Sequence, residues 1–96
     1  MDFVTGPPEQ ELSQRIKVLQ QEMQKKEINA ALIVQKTDLY YFAGTSQQGW
    51  LYIPEEGLPL LMVFKEYERA VVESSLSQVV SLVSPKKIPE LLQERN

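Results

Sequence analysis

The chain has 96 residues, 43% of them hydrophobic and 24% charged, which suits one folded domain and excludes a disordered profile. It contains no cysteine and no histidine, so disulfides, thiolate chemistry, zinc–thiolate sites and nucleophile–imidazole pairs are all excluded. Net charge is −3 and the 10 Lys and Arg are scattered rather than striped, so no nucleic-acid partner is expected.

The opening MDFVTGPPEQ is acidic and rich in Pro and Gly, the opposite of a signal peptide. The first periodic signal follows: Leu12, Ile16, Leu19 and Met23 fall on one face of a helix predicted over residues 8–27. Pro8 suits its first turn, and Glu9 and Glu11 at the start and Lys25 and Lys26 at the end complement the macrodipole. NAALIV, continuously apolar and ending in β-branched residues, predicts a strand covered on both faces. In QKTDLYYFAG, Thr37 or Asp38 is a candidate N-cap and Gly44 a C-terminal stop, so a helix of barely two turns fits, with Leu39 and Phe42 inward.

WLYI, PEEG and LPLLMVF read as an antiparallel hairpin over a four-residue turn, with Pro59 at the beginning of the second strand. That last apolar run, residues 58–64, falls far short of the roughly 20 residues a membrane span needs, so no membrane partner is expected and a cytoplasmic location is the default. KEYERAVVESS predicts a short helix with Tyr67, Ala70, Val71 and Ser74 on one face; QVVSLV predicts a fourth strand. SPKKIPELLQERN, with Ser84 before Pro85, predicts a last helix. Strands apolar on both sides need helices on both faces. The expected fold is therefore α/β, a three-layer sandwich with a mixed β-sheet, formed by residues 1–96 as a single domain.

Chemistry-bearing patterns are sparse. The acid pairs Glu55–Glu56 and Glu66–Tyr67–Glu68 read as a solvated hairpin tip and a solvated helix start. Asp38 reads as a cap, and Ser46 has no base to activate it. No phosphate-cradling glycine loop is present. No catalytic residue and no metal ligand is assigned, and independent catalysis by these residues is not expected.

The stretch from Ile16 through VLQQEMQKKEINAALIVQKTDLYYFAGTSQQGWLYIPEEGLPLLMVFKEYERAVVES resembles the N-terminal domain of the creatinase, prolidase and aminopeptidase P family. Asp38, Tyr41 and Gly44 stand at the Asn, Tyr and Gly positions of that family's N-x-x-Y-x-x-G segment, and YERA fits its later helix. Glu27 stands where glycine is common, so a left-handed backbone there costs about 1 kcal/mol unless Asn29 takes over the turn. Ala43 replaces the usual threonine before Gly44, removing a hydroxyl.

The resemblance implies a ribonuclease H-like motif in a non-catalytic domain, excised or a natural remnant, that precedes a pita-bread catalytic domain absent from this chain. That second domain would supply two Asp, one His and two Glu to a pair of divalent metal ions for Xaa-Pro peptide or creatine-like hydrolysis. The implied partners are the chain's own C-terminal catalytic domain and a second copy in a homodimer. The implied role is subunit assembly and substrate gating.

The segment YYFAGTSQQGW (residues 40–50) bears on that role. In one reading Phe42 and a tyrosine anchor the short helix and TSQQG is a solvated connector. In the other, Thr45, Gln47, Gln48 and Trp50 form a substrate gate, the amides bonding a peptide backbone and Trp50 or Tyr52 stacking on a proline ring. Both hold together if the aromatics face inward and the amides outward. Alternatives to the peptidase resemblance are a free-standing α/β interaction module and a flavodoxin-like ligand-binding domain.

Overall fold

The computed structural model describes residues 7–93; the first six residues of the acidic opening and the last three residues of the chain lie outside that range. The elements run α1 (Glu9–Lys25), β1 (Ala30–Ile33), α2 (Lys36–Ala43), β2 (Gly49–Pro54), β3 (Leu60–Val63), α3 (Tyr67–Glu73), β4 (Val79–Ser81), a 3-10 turn (Pro85–Lys87) and α4 (Ile88–Gln93). The sheet order is β1-β2-β3-β4, antiparallel across the first two pairings and parallel between β3 and β4. This is the three-layer α/β arrangement with a mixed sheet that the sequence predicts.

Helix α1 buries Leu12, Ile16 and Met23 as their spacing requires. Full burial of each such side chain contributes about 1.5–3 kcal/mol. Pro8 sits one position earlier than expected, at the N-cap, with extended backbone and no side-chain cap. At the other end Ile28 N–H bonds the Met23 carbonyl (2.8 Å) and Glu27 N–H bonds that of Gln24 (3.2 Å), a Schellman closure. The left-handed position in that motif is Glu27, with φ of 60°. Asn29 does not take it over, so the strain expected at Glu27 is present.

Helix α2 starts at Lys36 behind Gln35, and no side chain caps it; the expected cap from Thr37 or Asp38 is not made because both already lie within the helix. Its end is as expected: Gly44 has φ of 80° and its N–H bonds the Tyr40 carbonyl. A side chain at Gly44 would also crowd Pro7, whose Cδ lies 3.3 Å from a Cβ built there.

Two clusters flank the sheet. Leu51, Ile53, Leu61 and Val63 face α1, α2 and α3, meeting Ile16, Met23, Leu39, Ala43 and Ala70, with Phe42 packed at the margin. Leu60, Met62 and Leu82 face the other way, against Ile88, Leu91 and Leu92 of the α4 region. The layers are unequal: three helices cover one face and one short helix covers part of the other. For that reason β1 alternates instead of being covered on both faces, and Leu32 remains 46% exposed with Val34 at 53%.

The hairpin connection is longer than a four-residue turn. Pairing between β2 and β3 stops at Tyr52 opposite Leu60, while Ile53 and Pro54 continue on β1. Helix α1 holds the connecting backbone: Gln20 donates to the carbonyls of Pro54 (2.8 Å) and Gly57 (3.0 Å), and Gln24 to that of Glu55 (2.7 Å). Pro59 is buried just before β3 rather than within it. Ala70 of α3 and Ser74 at its C-cap are buried, whereas Tyr67 and Val71 remain exposed, so only part of the predicted face is covered. Glu66, at the N-cap of α3, is a second left-handed non-glycine residue, with φ of 58°.

Candidate functional site

The loop between α2 and β2, residues 44–48, is bounded by two glycines with different duties. Gly44 turns the chain at positive φ. Gly49 lets β2 approach β3: a Cβ there would lie 2.5 Å from the Met62 carbonyl oxygen. Between them the chain cannot run as a free connector, because Thr45 is only 1% exposed.

A carboxylate approaches Thr45 from α3. The Thr45 hydroxyl donates to Glu73 Oε1 at 2.6 Å, and its Oγ1 accepts from Gln47 N–H at 3.2 Å. The Gln47 amide turns to the same carboxylate, with Nε2 at 3.3 Å from both Oε1 and Oε2. Thr45, Gln47 and Glu73 thus form a closed ring of hydrogen bonds, all accepted or relayed by one charged group. Gln48 points to solvent, while its backbone carbonyl accepts from Phe64 N–H at 3.0 Å. Trp50 lies on the opposite sheet face, edge-on to Phe64 at 6.4 Å between centroids, and packs against the Leu60–Met62–Leu82 cluster.

The four residues singled out from the sequence therefore separate into three environments. Thr45 and Gln47 are tied to α3, Gln48 is exposed, and Trp50 is on the far face. Gln47 and Gln48 together with Ser46, Gly49, Val34 and Lys36 border an open depression of about 320 Å³ at the end of β1. The expectation of one inward tyrosine and of outward amides is not met at either tyrosine or at Gln47. Tyr40 and Tyr41 are each 50% exposed, and the Gln47 amide faces inward. Tyr41 instead supports α1 from outside, with the Arg15 guanidinium 4.5 Å from its ring centroid and Arg15 Nη1 donating to its carbonyl at 2.8 Å.

Glu73 was not among the residues that the sequence pointed to. One signal existed: a carboxylate in the last turn of a helix opposes the macrodipole, so its position calls for compensating donors. Chemically the ring can hold a loop and present its outer face. No group of three or more acidic, His or Cys side chains that could bind a metal ion occurs among the described residues. The donor set for a pair of divalent ions does not fit here, and no chemical step is assigned to such ions in this domain. No helix among the described residues is long and apolar enough to cross a membrane.

An unequally covered mixed sheet, with a helix crossing from β3 to a parallel β4, defines the α/β class of the domain. The chain belongs to the creatinase/prolidase N-terminal domain family, whose sequence profile matches residues 15–96. Among solved structures, an Xaa-Pro aminopeptidase from Streptococcus pyogenes superposes with a TM-score of 0.74 at 23% identity, over 88% of this chain and 67% of that one. A prolidase from Pyrococcus furiosus superposes with a TM-score of 0.73 at 32% identity, over 81% of this chain but 25% of its own length. The creatinase/prolidase N-terminal domain of an X-Pro dipeptidase from Streptococcus pyogenes gives 0.63 at 19% identity, over 72% of this chain and 56% of that one. The first and third likenesses are of fold alone, and the chain spans about a quarter of the prolidase. No curated protein sequence matches it closely enough to count as a relative.

Proposed function

We propose that this chain is the N-terminal, non-catalytic domain of an Xaa-Pro peptidase-like metallohydrolase of the cytoplasm. In this reading residues 1–96 form one domain that takes part in subunit assembly, as a homodimer, and in admitting substrate. Hydrolysis belongs to a separate catalytic domain that carries a pair of divalent metal ions. The observation that carries the reading is membership of the creatinase/prolidase N-terminal family over residues 15–96, joined to a likeness that spans a quarter of a prolidase. The apolar stretch of sheet around Leu32 and Val34, which α4 leaves open, supports it further, since such a surface suits a packed neighbour.

The test is hydrolysis of an Xaa-Pro dipeptide with manganese, measured for the product of the complete reading frame and for residues 1–96 alone. Turnover by the complete product and none by residues 1–96 is expected. Turnover by residues 1–96 alone would overturn the non-catalytic role, and none by either would overturn the peptidase reading. For the gate, Gln48→Ala in the complete product is expected to change KM or peptide-length preference.

A further inference from the structure

We infer that Glu73 is the positioning residue of the α2–β2 loop, and that through it α3 decides which loop side chains meet a peptide. The inference deepens the gating role proposed above and rests on it for the identity of the ligand.

Ionised, Glu73 can only accept hydrogen bonds, so the Thr45 hydroxyl must spend its one proton on Oε1, at 2.6 Å. With its proton so directed, Thr45 Oγ1 keeps a lone pair for Gln47 N–H, at 3.2 Å. The same carboxylate then takes the Gln47 side-chain amide on both oxygens. One acceptor-only group therefore sets the direction of every bond in the ring. A neutral group that both donates and accepts would permit more than one arrangement.

The consequence for recognition is selective. Gln47, which sequence alone puts forward as a gate residue, has its amide committed within the domain. Ser46 and Gln48, the exposed residues on either side of it, are left to face outward over the depression near Lys36. A hydroxyl and a free carboxamide suit the donor and acceptor groups of a peptide backbone. Holding them on a fixed loop lowers the ordering cost of binding. Removing Glu73 would release Gln47 and let a third polar side chain compete for the same ligand.

The test uses amide hydrogen exchange and kinetics on the complete protein. A hydrogen bond between neutral groups worth about 0.5–1.5 kcal/mol corresponds to a change of roughly 2- to 10-fold. Glu73→Ala frees the Thr45 hydroxyl to turn and is thus expected to speed exchange at the Gln47 backbone N–H, whose acceptor is Thr45 Oγ1, by roughly that factor, with Leu51 and Leu61 in the sheet unchanged. Glu73→Gln, which keeps the shape but not the acceptor-only character, is expected to give a smaller acceleration. Thr45→Ser, which retains the hydroxyl, should keep the protection.

With Xaa-Pro peptides of two and three residues, Glu73→Ala is expected to shift the ratio of their KM values and leave kcat unchanged. Unaltered exchange at Gln47 overturns the inference, as does an equal acceleration throughout the sheet, which would mean general destabilisation. Faster loop exchange with unchanged KM values supports the positioning role of Glu73 and removes the gating role from the loop.

Discussion

Gly49 is the position where a single methyl group should do most damage for its size. It opens β2 opposite Val63, and a Cβ built there falls 2.5 Å from the Met62 carbonyl oxygen, 3.3 Å from Val63 Cα and 3.4 Å from the Met62 carbonyl carbon. All three atoms are backbone of β3, so no flexible side chain can swing aside. The strand is itself held on both sides, by β2 and by β4, and Leu82 N–H bonds the Val63 carbonyl at 2.7 Å. Relief must come from moving a central strand, and forced overpacking of that kind costs about 1–3 kcal/mol. For a chain of this size the slope of urea unfolding is near the lower end of about 1–3 kcal/mol per molar. Gly49→Ala is accordingly expected to lower the urea midpoint by about 1–2 M. A midpoint for Gly49→Ala within the error of the unsubstituted protein would refute the close-approach argument and the register of β2 on β3 with it.

Two further outcomes follow from the packing and the backbone. Leu61→Ala empties a fully buried site on a central strand and is expected to cost about 2–5 kcal/mol, a fall in Tm of at least roughly 10 °C by scanning calorimetry. Leu32→Ala, on the half-open edge strand, should cost about 1 kcal/mol or less, and equal losses at the two sites would contradict the unequal layers. Glu27→Gly relieves the left-handed strain, partly offset by the freer unfolded chain, so equilibrium unfolding should show a gain of up to about 1 kcal/mol, with none for Glu27→Ala.

The local grammar of this chain was legible residue by residue. Leu12, Ile16 and Met23 recur at the period of a helix and are buried together on α1. Gly44 stops α2 because a left-handed turn needs it there. Ser84 before Pro85 opens the last helical segment, its side chain accepting from Lys86 N–H. Each of these signals acts over a few residues, where spacing and backbone sterics decide the outcome, and together they establish the order of helices and strands and hence the α/β class. The closing glycine of the loop, Gly49, could be seen in the sequence, but its need to be glycine could not, since that need comes from the β3 backbone.

Tertiary structure decided the rest. Whether Leu32 is covered depends on which strand ends at the edge and how far α4 reaches, and apolar composition is the same in either case. The fate of Gln47 depends on a carboxylate 26 residues away, and that of Thr45 on the same group 28 residues away. No pattern along the chain encodes such a pairing; it exists only because α3, crossing from β3 to β4, ends beside the loop that follows α2. Propensity and spacing act between neighbours in sequence, whereas a hydrogen bond forms between neighbours in space, and the candidate site is built from the second kind.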